Sequence, residues 1–120
     1  VQQLVISGNS FSQVAGGVDS RHGLAFDAVV GPNQCIISNN IIKAAAAGAT
    51  TIGINLSGGQ DNTVTGNHLE NFVEAVGVSD APQTDGNNII IGNTSTGHTT
   101  FHGANADADP ANIVANNSID

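Results

Sequence analysis

The sequence predicts an all-β fold, a parallel β-helix of about four coils, and three observations carry that prediction. First, a short motif recurs from end to end: apolar, any, Gly or Asn, then Asn. It stands as Ile6-Ser7-Gly8-Asn9, Ile37-Ser38-Asn39-Asn40, Val64-Thr65-Gly66-Asn67, Ile90-Ile91-Gly92-Asn93 and Val114-Ala115-Asn116-Asn117. The key asparagines lie 31, 27, 26 and 24 residues apart, a mean of 27, and a fixed period in this range marks a solenoid. Second, apolar and polar residues alternate on either side of each Asn, as in half-buried strands. Third, Gly-Asn and Asn-Asn reach left-handed backbone at little cost, so each motif marks a corner between two strands.

Each coil is then built from three strands. The first is the apolar stretch ahead of the motif: Ala25-Phe26-Asp27-Ala28, Gly53-Ile54-Asn55-Leu56, Ala75-Val76-Gly77-Val78 and Thr100-Phe101-His102-Gly103. Aligned on their second residues, these place Phe26, Ile54, Val76 and Phe101 inside. The second strand ends at the Asn corner and buries Ile6, Ile37, Val64, Ile90 and Val114. The third is short, as in His68-Leu69. Asn9, Asn40, Asn67, Asn93 and Asn117 fall one above another, where side-chain amides can donate and accept between coils as a ladder. Cys35 takes the place held by Asn62, Asn88 and Asn112, which reads as a small buried side chain and not a nucleophile. Four Leu against twelve Ile and eleven Val favour strands over a leucine-rich horseshoe of similar period. The longest irregular segments are 12–23 and 43–51 before the first strand, and 79–86 and 104–111 after it.

At 120 residues the chain reads as one domain, 1–120. It begins in strand-like sequence and ends just after the last motif, so it reads as a fragment of a longer solenoid. Ten acidic residues stand against Arg21 and Lys43 alone, and a net charge of −8 makes nucleic acid or an anionic membrane surface a poor partner. A single Cys excludes an internal disulfide. No signal peptide or membrane span is visible. Neither Trp nor Tyr occurs, which weakens a self-contained sugar site, because sugar rings stack on aromatic faces.

The run Gly53-Ile54-x-Leu56-x-Gly58-Gly59-x-Asp61-Asn62-x-Val64-x-Gly66-Asn67-x-Leu69 resembles the right-handed β-helices of the pectate-lyase-like superfamily, and in style the bacteriophage tailspikes within it. The resemblance implies a right-handed coil, an extracellular or virion-surface location, a polysaccharide partner and side-by-side homotrimers. It also implies that a sugar chain lies along the outer face of the first strand, with Asp27, Asn55, Gly77 and His102 as the outward column. The superfamily's lyases use Arg or Lys with calcium, and its epimerases an Asp-Pro-His-Glu signature absent here. Glycoside hydrolysis is therefore the enzymatic reading ahead of lyase or epimerase chemistry.

Within that reading Asp27 and Glu74 are the candidate catalytic carboxylates. They lie two coils apart, about 10 Å at the ~4.8 Å strand spacing, at the wide edge of what an inverting glycosidase uses. Asn55, His102, Arg21 and His22 are the candidate substrate-binding residues. No cofactor and no metal are expected: Asn105-Ala106-Asp107-Ala108-Asp109 begins like a calcium loop, but Pro110 stands where such a loop needs Gly. Two readings of function stay open. One is a tailspike-like segment that binds and cleaves a cell-surface polysaccharide; the other is a non-catalytic shaft or receptor-binding segment. An ice-binding sheet is a third possibility, but Ser7, Ser38, Thr65, Ile91 and Ala115 form no regular threonine array.

Overall fold

The computed structural model describes residues 2–12, 22–25, 31–45, 52–56, 58–77, 86–97, 100–102 and 112–119. The strands are β1 (Val5–Ser7), β2 (Ser10–Ser12), β3 (His22–Ala25), β4 (Ile36–Ser38), β5 (Ile41–Lys43), β6 (Ile52–Asn55) and β7 (Thr63–Thr65). They continue as β8 (His68–Glu70), β9 (Glu74–Gly77), β10 (Ile89–Ile91), β11 (Thr94–Thr96), β12 (Thr100–His102), β13 (Ile113–Ala115) and β14 (Ser118–Ile119). Among the described residues there is no helix, and none long and apolar enough to cross a membrane.

Every third strand joins the same sheet. The first sheet runs β1-β4-β7-β10-β13, the second β2-β5-β8-β11-β14 and the third β3-β6-β9-β12. All pairings are parallel. The architecture is all-β with all-parallel strands, consistent with a β-solenoid.

The corners follow from local backbone chemistry. Gly8, Asn39, Gly66, Gly92 and Asn116 each precede a motif Asn, and each has a positive φ between 53° and 70°. That region is nearly free to Gly and cheapest, among other residues, to Asn. A second set of left-handed residues, Gln34, Asp61 and Asn87, precedes Cys35, Asn62 and Asn88.

Between the corners, mostly apolar side chains point inward from the strands. In the first sheet Ile6, Ile37, Val64, Ile90 and Val114 share one register position. Ile37, Val64 and Ile90 are fully buried, while Ile6 and Val114, on the outermost strands, are half-buried. In the second sheet Phe11, Ile42, Leu69 and Ser95 stack likewise. Ile54, Leu56, Phe72, Ala75 and Val76 complete the core from the third side. Each such side chain contributes roughly 1.5–3 kcal/mol by leaving water, so the column and not any one strand holds the fold.

The third sheet departs from the expected register at both ends. Leu24, not Phe26, pairs with Ile54, and His102, not Phe101, pairs with Val76. Phe26 itself falls outside the described residues. The first change is a two-residue slip, which keeps the same face inward. The second is a one-residue slip. The two strands follow stretches of very different length, nine residues between β2 and β3 and three between β11 and β12.

Candidate functional site

The asparagines of the corners are bonded from one repeat to the next. Asn40 Nδ2 donates to Asn67 Oδ1 at 2.9 Å, Asn67 Nδ2 to Asn93 Oδ1 at 3.0 Å, and Asn93 Nδ2 to Asn117 Oδ1 at 3.0 Å. A second row runs from Asn62 Nδ2 to Asn88 Oδ1 at 2.9 Å and from Asn88 Nδ2 to Asn112 Oδ1 at 3.1 Å. Cys35 heads that row: it is buried, and its backbone N–H donates to Asn62 Oδ1 at 3.0 Å. No buried side-chain nitrogen or oxygen among the described residues lacks a partner. These rows are scaffold. They fix the spacing at which outward side chains repeat.

The third sheet carries the sequence-predicted site. Of its proposed catalytic pair, Glu74 opens β9 and is half-buried, while Asp27 lies outside the described residues, as does Arg21. Glu74 pairs in register with Ile52, which pairs with His22; Asn55 pairs with Ala25 below and Gly77 above. The expected column of Asp27, Asn55, Gly77 and His102 is thus corrected. Ala25 occupies the place given to Asp27, and His102 is shifted one residue, opposite Val76. A Cβ added at Gly77, the register partner of Asn55, would lie 3.5 Å from Glu74 Oε1, so the Glu74 side chain runs along its own strand toward Gly77.

The second sheet presents a polar cluster that the sequence reading passed over. Outward residues Ser10, Ile41, His68, Thr94 and Ser118 form one column, and Ser12, Lys43, Glu70 and Thr96 the next. Lys43 Nζ meets Glu70 Oε2 at 2.7 Å, and His68 Nδ1 lies 2.8 Å from Thr94 Oγ1. His68 Nε2 is 3.9 Å from the same Glu70 oxygen. The hydrogen bond from Lys43 is the main cause that holds the Glu70 carboxyl below its ordinary value, with the charges of Lys43 and His68 adding to it. Exposed ion pairs of this kind contribute little to stability, so the cluster is not explained by holding the fold together.

Its position matters. β8 ends at Glu70 and β9 begins at Glu74, so only Asn71, Phe72 and Val73 separate the two faces in that repeat. Phe72 is buried, and Asn71 Nδ2 donates to Ala44 O at 3.2 Å, which pins the corner to the repeat below. Glu70 and Glu74 therefore flank one tight edge, with Lys43 and His68 beside it. The signal was present in the sequence: Lys43 and Glu70 are 27 residues apart, as are Asn40 and Asn67, and His68 and Thr94 are 26 apart, as are Asn67 and Asn93.

Among the described residues no group of three His, Cys, Asp or Glu side chains could hold a metal ion, and the Asn105–Asp109 segment lies outside them. Among the described residues the arrangement offers hydrogen-bond donors and acceptors repeated along an axis. The chain matches no protein-family model, no curated protein and no solved structure.

Proposed function

We propose that the chain is a stretch of right-handed parallel β-helix, of the tailspike-like kind, that binds polysaccharide along its axis outside the cell or on a virion surface. The right hand follows the near-universal handedness of parallel crossover connections. About four coils, held at their corners by the asparagine ladder, provide the rigid rod. The observation that carries the reading is the spacing of polar partners. Lys43 with Glu70 and His68 with Thr94 present paired groups one repeat apart on the second sheet, the first pair at its edge with the third. A polymer laid lengthwise meets such groups at regular intervals of about 4.8 Å. The few basic residues favour a neutral or amino sugar over a uronate. In the hydrolytic form of this reading, Asp27 and Glu74 are the carboxylates, with Asn55, His102, Arg21 and His22 as hydrogen-bonding neighbours and copies arranged as side-by-side homotrimers.

A second reading, a non-catalytic shaft, is favoured by one observation: the polar groups of the second sheet are already satisfied by one another. A glycan array followed by product analysis on each hit separates the two. Binding supports the first reading and released oligosaccharide extends it to hydrolysis; no binding by the assembled protein leaves the shaft.

A further inference from the structure

The outward face of the first sheet differs from the other two. Each of its five strands shows two outward residues: Val5 and Ser7, Ile36 and Ser38, Thr63 and Thr65, Ile89 and Ile91, Ile113 and Ala115. All ten are apolar or hydroxyl-bearing, and seven are β-branched, which leaves them few rotamers to lose on contact. The column Val5, Ile36, Thr63, Ile89, Ile113 is one register position, and its four aliphatic members are 63%, 44%, 38% and 53% exposed. At a strand spacing of about 4.8 Å the column is roughly 19 Å long, and with its neighbours it makes an apolar patch of a few hundred Å², the size at which exposed patches are commonly functional.

Charge decides what such a face can meet. The chain carries −8, so two copies repel unless the surfaces they bring together are uncharged. The second sheet's outer face bears Lys43, His68 and Glu70, and the third bears Glu74. None of the ten outward positions of the first sheet is charged. Depletion of charge at the centre is also what distinguishes the core of a protein interface from ordinary surface.

We propose that this face is the contact with a second copy of the chain, turned toward the axis of the side-by-side assembly, with Ile36 and Ile89 at its centre. The proposal rests on the side-by-side assembly put forward above and assigns it a surface. A patch of this size is below the ~800 Å² per partner of a stable interface, so the association expected of this chain is weak.

Sedimentation velocity from micromolar to millimolar concentration tests it. The unaltered chain is expected to associate reversibly. The double variant Ile36→Lys, Ile89→Lys is expected to weaken association roughly tenfold or more, since it sets like charges against each other across the contact. Lysine already occupies an outward strand position at Lys43, and far-UV circular dichroism checks that the fold is kept. The milder pair Ile36→Thr, Ile89→Thr repeats the residue present at Thr63 and should weaken association by less. Ser10→Lys with Ser118→Lys, on the second sheet, should leave association intact. A chain that stays monomeric at every concentration overturns both the assembly and its surface. Association that survives the Ile36 and Ile89 changes overturns the surface alone.

Discussion

The side-chain Nδ2 of Asn67 donates to Oδ1 of Asn93 at 3.0 Å, although 26 residues separate them. Asn67 Oδ1 in turn accepts from the Nδ2 and the backbone N–H of Asn40, and Asn67 Nδ2 also reaches Ile37 O at 2.8 Å. One buried amide thus joins three successive repeats. Asn67→Ala is expected to orphan several buried groups at about 1–3 kcal/mol each, and so to cost at least ~3 kcal/mol. Asn117→Ala, in the half-buried outermost motif, should cost less. Urea denaturation with an unchanged slope checks both; equal losses at the two positions would show that the rows do not carry the stability assigned to them.

Cys35 tests the second row. Its backbone N–H already bonds Asn62 Oδ1, the geometry that Asn62 and Asn88 show toward their own neighbours. Cys35→Asn should therefore keep stability within about 1 kcal/mol, because the new amide finds the partner its counterparts have. Cys35→Leu should cost about 1–3 kcal/mol through overpacking. The thiol is buried, so it should react with a disulfide reagent only as the chain unfolds. Fast labelling of the native protein would contradict the placement.

Gly53 is a packing constraint and not a hinge. A Cβ there would fall inside contact distance of Leu69 Cδ2 and of the Ala75 carbonyl oxygen. The side chain can shift, but the backbone oxygen belongs to the neighbouring strand. Gly53→Ala should lower stability by about 1–3 kcal/mol, in contrast to the usual gain from replacing a strand glycine. Thermal melts of the variant decide the sign.

Acidification acts on the Lys43–Glu70 pair in a fixed direction. The Glu70 carboxyl is held below its ordinary value of 4.5, mainly by the Lys43 hydrogen bond. Its stabilising contribution is therefore complete above that value and is lost as pH falls through the lower folded value. Lys43→Met should move the Glu70 titration back up toward its ordinary value, as read by carboxyl NMR. No movement would mean that the 2.7 Å contact is not populated in solution.

The first sheet and its corners are legible in the sequence because each β-branched inward residue is tied to an Asn three positions later. Ile37, Val64 and Ile90 are accordingly buried where expected. The third sheet has no such anchor. Leu24 and Phe26 are both apolar and two residues apart, so alternation alone fits either, and the register is set by the length of a loop. The same one-repeat arithmetic that aligns the asparagines also aligns Lys43 with Glu70 and His68 with Thr94. That cluster was recoverable by comparing outward residues, and not only inward ones, across repeats.

The most direct test of the account is titration calorimetry of a polysaccharide hit against the unaltered chain, Lys43→Ala, His68→Ala and the first-sheet pair Ile36→Thr, Ile89→Thr. Loss of one hydrogen bond to a charged group costs roughly 1.5–3 kcal/mol, so Lys43→Ala should weaken binding by about tenfold or more. His68→Ala should weaken it less, and the first-sheet pair should leave affinity per chain unchanged. Binding that is indifferent to Lys43 and His68 but lost with the first-sheet changes would contradict the placement of the ligand on the outer face of the second sheet.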